Sequence, residues 1–323
     1  MRTTTEGSPK GAARLCGRKV SSKAKKAFKK LIMSTRKDAL LYIFYGSPAT
    51  CANRLRIFRE LNPDLKIFGI CTAGISQKSK FKVVEDQCDH LWYLPDHDSK
   101  WCWYNLDKVA CMWFEDAGVY LDFEKILVVD WDLLLLEPVK NWLDQVGDNE
   151  VKIIDVWENK NPRENYWTSD RYPEYNLFKD KLFSENSNGY VLLNAFLFAY
   201  ACKKSSFAKF APQVISLPGY CEFRLPTVMA SCGLTVTNFN RPKNWGEFST
   251  VSGLSIPRRV IKKELSNHKG FRMFHPVYEP YYNAKLDISI TAVIRDGSWW
   301  RSFSRSAKNL VRRFRQTFLG YKI

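Results

Sequence analysis

From residue 38 onward the chain alternates between short apolar runs and longer stretches whose apolar positions recur at helical spacing. Ala39–Tyr45 is an apolar, aromatic run closed by Gly46-Ser47-Pro48, the pattern of a buried strand that ends in a turn. In 53–61, apolar side chains at 55, 57, 58 and 61 alternate with Arg and Glu, which predicts a helix stopped by Asn62-Pro63-Asp64. A second apolar run at 65–72 completes a βαβ unit with a parallel strand pair. Residues 91–94 read as a third strand, 101–117 as one long aromatic-rich helix, and Lys125–Asp130 as a Val/Ile/Leu strand covered on both faces.

The second half is less regular. A strand is expected at 152–156, then a polar and aromatic loop over 157–188, then an apolar run over 190–200. A loop of that length is uncommon unless it serves a function. Its aromatics Trp157, Tyr166, Trp167, Tyr172 and Tyr175 suit either a sugar acceptor or a packed surface excursion. No internal repeat is visible. The alternation of strands and helices predicts an α/β fold with a doubly wound, mostly parallel sheet flanked by helices, in which ligands bind beyond the carboxyl ends of the strands.

Charge modifies this picture only at the ends. The chain has 323 residues and a formal charge of +17. Residues 1–37 carry twelve Lys/Arg and one acid, and residues 301–323 carry seven Lys/Arg and no acid, which leaves 38–300 at −1. Nucleic acid is therefore not the expected partner of the body. The sequence divides into a basic N-terminal extension (1–37), a catalytic-sized body (38–290) and a basic tail (291–323). Within the body, 38–138 forms a nucleotide-binding half and 139–290 an acceptor half. Met33 offers an alternative start just ahead of the first strand, with the preceding residues a disordered extension.

In the tail, Trp300, Phe303, Ala307, Leu310, Val311, Phe314 and Phe318 recur at helical spacing among Arg and Lys. That pattern suits either an amphipathic helix on an anionic membrane surface, over 299–318, or a helix packed on the body. No apolar stretch is long enough to span a membrane, and no signal-peptide core precedes the body, so a cytoplasmic location is expected. The nine cysteines have no Cys-x-x-Cys pair or zinc spacing and read as reduced thiols.

The candidate chemistry centres on 126–138, Ile-Leu-Val-Val-Asp130-Trp131-Asp132-Leu-Leu-Leu-Leu-Glu-Pro. Two carboxylates at i and i+2 on an extended backbone point the same way and suit one hard cation, Mn²⁺ or Mg²⁺. Such a cation stabilises a departing diphosphate. Asp-x-Asp alone carries little information, and Asp96-His97-Asp98 is a second match in a polar stretch that reads as a turn. At Asp130 the two acids interrupt nine apolar neighbours, where unpaired charge would cost several kcal/mol.

With strand–helix–strand, an aromatic helix and an apolar strand ending in Asp-Trp-Asp, residues 38–280 resemble the GT-A superfamily of glycosyltransferases. The resemblance implies that Asp130 and Asp132 hold the nucleotide ribose and the metal, with Tyr45 at the donor site and Lys108, in Asn105-Leu-Asp-Lys108, contacting the donor. Ser187-Asn188-Gly189-Tyr190 is similar to the segment that such enzymes place beside the donor sugar, which implies Asn188 and Gly189. Glu222-Phe-Arg224-Leu-Pro226 resembles the acidic segment that opens an acceptor-side helix, which implies Glu222 as catalytic base and Arg224 at the donor; the two also suit a surface ion pair. Phe274-His275-Pro276 resembles the late metal-binding His, which adds His275 to Asp130 and Asp132.

The expected activity is metal-dependent transfer, by inversion, from a UDP-, GDP- or dTDP-sugar to a hydroxyl of a glycan, glycoprotein or lipid. The alternatives are a sugar-phosphate nucleotidylyltransferase, for which Gly46-Ser47-Pro48 is not the needed Gly-rich loop, and a non-enzymatic basic membrane or nucleic-acid adaptor.

Overall fold

The computed structural model describes residues 37–95, 97–159, 172–184, 191–240, 255–267, 270 and 272–281. Its first half follows the predicted alternation. Strand β1 (Asp38–Phe44) leads through a tight turn into helix α1 (Pro48–Leu61), then β2 (Lys66–Cys71), the short helix α2 (Lys82–Glu85) and β3 (His90–Tyr93). Helices α3 (Ser99–Tyr104) and α4 (Leu106–Asp116) precede β4 (Lys125–Asp130). The second half contains β5 (Leu134–Leu135), α5 (Lys140–Leu143), β6 (Glu150–Glu158), α6 (Pro173–Ser184), β7 (Leu193–Lys203), α7 (Lys204–Ser216), α8 (Cys221–Ser231), β8 (Thr235–Asn238), α9 (Arg258–Ser266) and β9 (Met273–Phe274).

Seven strands form one sheet in the order β3-β2-β1-β4-β7-β6-β8, and β5 pairs with β9 in a separate antiparallel ribbon. The sheet is mostly parallel: only the β4–β7 and β7–β6 pairs run antiparallel. β1 lies in the middle of the parallel part, with every residue after Asp38 buried, as expected of a strand covered on both faces. Helices α4, α6, α7 and α8 enclose one core against the sheet through Trp113, Phe178, Phe207 and Phe223. The opposite face packs on α1, Trp142 and the segment around Phe274 and Val277. The architecture is thus the α/β sheet flanked by helices that the apolar pattern predicts.

The expected single helix over 101–117 is two. Asn105 interrupts it with φ −123° and ψ 34°, and both its backbone N–H and its Nδ2 donate to the Trp101 carbonyl. The second Asp-x-Asp also has a structural explanation. Asp98 caps α3 by accepting from the Trp101 N–H at 2.7 Å, the usual work of an N-cap carboxylate. Among the described residues no helix is long and apolar enough to cross a membrane. The N-terminal extension apart from Lys37, and the basic tail, lie outside the described residues.

Candidate functional site

β4 ends at Asp130, and the chain turns there. The Leu133 N–H donates to the Asp130 carbonyl at 3.2 Å, so Trp131 and Asp132 form a turn rather than the extended continuation expected from the i, i+2 spacing. Three contacts hold it. The buried Tyr42 hydroxyl donates to the Trp131 carbonyl at 3.1 Å, and the Trp131 N–H donates to Asp130 Oδ1 at 2.8 Å. The Trp131 ring packs between Tyr45 (ring centres 5.5 Å apart) and Tyr278 (5.6 Å, stacked).

Gly46 makes that packing possible. A Cβ at position 46 would fall 2.1 Å from Trp131 Cε3, so Gly46→Ala must push the indole out of its sandwich. Overpacking of this kind costs about 1–3 kcal/mol. Urea denaturation of the variant should show a midpoint shift of that size.

Both carboxylates are buried, Asp130 at 9% and Asp132 at 7% exposure. Burial, and then the charge of Asp132, pushes the Asp130 carboxyl well above its ordinary range. Tyr45 sits against the same pair: burial, then Asp130 and Asp132, raise its hydroxyl. Asp132 faces His275, whose Nε2 lies 3.1 Å from Asp132 Oδ1. The contact is close but not aligned as a hydrogen bond, and that buried oxygen has no hydrogen-bond partner.

His275 is held in place from several sides. Its ring stacks on Phe198 at 4.0 Å and 8°, the β5–β9 ribbon fixes the preceding residues, and the Val277 N–H donates to the Asp132 carbonyl at 2.8 Å. From α1, Arg54 Nη2 donates to the Val277 carbonyl at 2.7 Å, and Asn53 exchanges hydrogen bonds with the Tyr281 backbone.

This donor set suits a hard cation. Two cis ligands of an octahedral metal, each roughly 2.1 Å from it, lie about 3 Å apart, and an imidazole nitrogen beside an orphaned carboxylate oxygen meets that spacing without satisfying each other. The expected three-member protein shell is not assembled, however: among the described residues no three His, Cys, Asp or Glu side chains converge on one point. Asp130 Oδ1 accepts the Trp131 N–H, and the two groups at the spacing of cis metal ligands are Asp132 and His275.

Glu222 opens α8. Burial alone pushes its carboxyl up to about 8, and among the described residues nothing hydrogen-bonds it. It lies at the same end of the sheet as the carboxylate pair. The preceding residue, Cys221, has its Sγ 3.9 Å from the Trp103 carbonyl on α3, and the neighbouring Cys102 Sγ lies 3.7 Å from the Thr72 carbonyl just beyond the end of β2.

Arg224 has a different place from the one expected. It is neither a donor ligand nor half of a surface pair with Glu222, but fully buried against Asp107, with both side chains at 0% exposure. Its Nε donates to Asp107 Oδ2 at 2.9 Å, a second fork donates to Asp107 Oδ1, and further N–H groups reach the Gly219 carbonyl and Asn105 Oδ1. The pair therefore ties the α3–α4 junction to the start of α8 and fixes the angle at which Glu222 is presented. Removing one partner strands a buried charge, a loss of about 3–5 kcal/mol. Asp107→Ala should lower stability by that amount in denaturant melts, whereas a surface salt bridge would contribute under about 1 kcal/mol. Lys108 beside it is half-buried, and its ammonium is lowered by burial and then by Arg224.

Asn188 and Gly189 lie outside the described residues. Of the loop aromatics that suit either an acceptor or a packed surface excursion, Tyr175 is 1% exposed and belongs to the core, while Tyr166 and Trp167 lie outside the described residues. Sequence reasoning missed Asn194. It is 2% exposed at the start of β7, and neither its Oδ1 nor its Nδ2 has a hydrogen-bond partner. β7 runs antiparallel to β4 with Ala199 opposite Val129, so Asn194 lies beyond the carboxyl end of β4, on the site side of the sheet. A lone Asn interrupting the 190–202 apolar run was the available signal.

No family model matches the chain, and no curated protein sequence is significantly similar to it. Among solved structures, a crystal structure of 4-diphosphocytidyl-2C-methyl-D-erythritol synthase is similar over 65% of this chain and 96% of that one, at 13% identity and a TM-score of 0.38, a likeness too slight to bear on function.

Proposed function

We propose that this protein is a metal-dependent glycosyltransferase that moves a sugar from a nucleoside-diphosphate sugar to an acceptor hydroxyl. The observation that carries the reading is the unaligned 3.1 Å approach of His275 Nε2 to the orphaned Asp132 oxygen. It occurs where β4 ends, at the carboxyl end of the parallel strands, where α/β proteins bind ligands. A divalent cation held by Asp132 and His275 would neutralise the charge that develops on the departing diphosphate. Asp130 and Tyr45 line the donor side, with Lys108 as a further cation near the donor.

On the acceptor side, Glu222 takes the proton of the attacking hydroxyl. In a single displacement the acceptor oxygen bonds to the anomeric carbon as the bond from that carbon to the phosphate oxygen breaks. The proton passes to Glu222, and the nucleoside diphosphate leaves with the bonding electron pair. Inversion follows from one displacement, and an elevated Glu222 suits a base that works near neutral pH.

The competing reading, a sugar-phosphate nucleotidylyltransferase, would need backbone N–H groups free to cradle a triphosphate after β1. There Gly46 instead lies under the Trp131 ring, which favours the transferase.

Hydrolysis of UDP-, GDP- and dTDP-sugars with Mn²⁺, Mg²⁺ or chelator tests the reading without knowledge of the acceptor. Metal-dependent release of a nucleoside diphosphate supports it. Release of pyrophosphate from a nucleoside triphosphate and a sugar phosphate would replace it with the nucleotidylyltransferase.

A further inference from the structure

After β9 the chain leaves its ladder at Phe274, and the backbone of 275–281 must find hydrogen-bond partners elsewhere. One side of α1 supplies them. Thr50 Oγ1 donates to the Tyr278 carbonyl at 2.9 Å, Asn53 Nδ2 to the Tyr281 carbonyl at 2.8 Å, and Arg54 Nη2 to the Val277 and Glu279 carbonyls at 2.7 and 3.1 Å. Arg54 Nη1 also braces Asn53, donating to its Oδ1 at 2.8 Å. Positions 50, 53 and 54 are spaced as neighbours on one helix face, so the three side chains act together. Residues ahead of α9 grip the same strap: the Ile256 N–H donates to the Pro276 carbonyl at 2.8 Å, and the Ser255 hydroxyl accepts from the Tyr278 N–H and donates to the Glu279 carboxylate.

Arg54 is a costly member of this clasp. It is 1% exposed, its hydrogen bonds go to uncharged oxygens, and its Nε has no partner. A buried cation without an ion pair is unfavourable, and a neutral amide could donate to a carbonyl without that cost. Two features of the guanidinium explain its presence. Its planar fork reaches two carbonyls of the strap at once, which no point donor can do. Its charge also has a counterpart at the site: burial lowers the guanidinium, while Tyr42, Cys51, Asp132 and Glu279 raise it. Burial pushes both Tyr42 and Cys51 up, so they are uncharged near neutrality, and Asp132 and Glu279 are the carboxylates that act on Arg54.

The strap begins at His275 and is bonded to the other half of the pair through the Val277 N–H and the Asp132 carbonyl. The Val277 peptide therefore lies between Arg54 and Asp132, two residues from the imidazole. Groups that orient metal ligands from behind set affinity as the ligands themselves do.

We propose that Arg54 is the positioning residue of the metal pair: its fork, closed on the Val277 and Glu279 carbonyls, sets His275 against Asp132 and so fixes the affinity for a divalent cation. This role rests on the metal-dependent reading above.

The experiment is electron paramagnetic resonance titration of the full chain with Mn²⁺, for wild type, Arg54→Lys and Arg54→Met, at a temperature where thermal melts show each to be folded. The site is identified as the binding that Asp132→Ala removes. Arg54→Lys keeps the charge and loses the fork; Arg54→Met loses both. Each should bind Mn²⁺ roughly 10–100-fold more weakly. Without metal, hydrogen exchange should quicken at the amides of 277–281 and stay unchanged in β1 and β4.

Arg59→Met is the control for general loss of stability. Arg59 lies on the same helix and holds the Leu65 and Gln87 carbonyls and the Asp89 carboxylate, away from the strap. It should lower the melting temperature and leave Mn²⁺ affinity unchanged. Wild-type Mn²⁺ affinity in folded Arg54→Lys overturns the proposal, as does an equal loss in Arg59→Met. A wild type that binds no Mn²⁺ removes the metal reading itself and this role with it, whereas wild-type binding with unaffected Arg54 variants removes this role alone.

Discussion

Asp132→Ala should abolish metal-dependent hydrolysis of the nucleotide sugar, with a loss of roughly 10²–10³ or more, because it removes one of the side chains proposed to hold the metal. The same variant should bind Mn²⁺ at least tenfold more weakly by electron paramagnetic resonance titration, a readout independent of turnover. Its stability should behave in the opposite direction. Asp132 is buried, carries an oxygen without a hydrogen-bond partner, and its charge disfavours ionisation of Asp130. Removing it relieves like-charge repulsion, so the variant should melt no lower than the wild type in the absence of metal. A purely structural carboxylate predicts the reverse: a lowered melting temperature with metal binding unchanged. Asp130→Ala separates the two acids further. Asp130 accepts the Trp131 N–H, so its loss should loosen the turn and reduce both stability and donor affinity.

The parallel half of the sheet was legible because β1, β2 and β4 are buried on both faces and read as apolar runs. Lys125–Asp130 was placed to the residue, and β1 and β2 within one. Local chemistry that competes with periodicity was not legible. The backbone at Asn105 leaves the helical conformation although the apolar pattern runs straight through it, and the turn at Trp131 depends on a hydroxyl 89 positions away.

Pairing between distant residues was also hidden. Nothing in Glu222-Phe-Arg224 marks one side chain as exposed enough to react and the other as sealed against Asp107, since 117 residues separate the partners. His275 is the converse case. Its position beside Asp132 depends on α1, on Phe198 and on the β5–β9 ribbon, and only the resemblance, not any local pattern, singled it out. Asn194 carried a visible signal, a polar residue in an apolar strand, but its meaning needed the register of β7 against β4.

Glu222→Gln tests the acceptor side. Glutamine keeps the shape of the side chain and cannot accept the proton, so sugar transfer should fall by about 10²–10⁴, while binding of the nucleotide sugar persists. Two pH dependences follow from the same elevated carboxyl. A general base acts when deprotonated, so the wild-type rate of transfer should rise with pH through a midpoint near 8, and that limb should vanish in Glu222→Gln.

Stability should run the other way. The folded carboxyl is raised above its ordinary 4.5, so the folded protein holds the proton more tightly than the unfolded chain, and the resulting stabilisation is fully present below about pH 4.5. It is lost as pH rises to about 8, because burial then opposes a charge that the unfolded chain exposes to water. Melts of wild type and Glu222→Gln should therefore be similar at pH 4 and diverge with rising pH, with the variant more stable at pH 9. A rate limb that survives the substitution would move the proton acceptor elsewhere. Equal melts at pH 9 would instead mean that water reaches Glu222 and that its carboxyl titrates in the ordinary range.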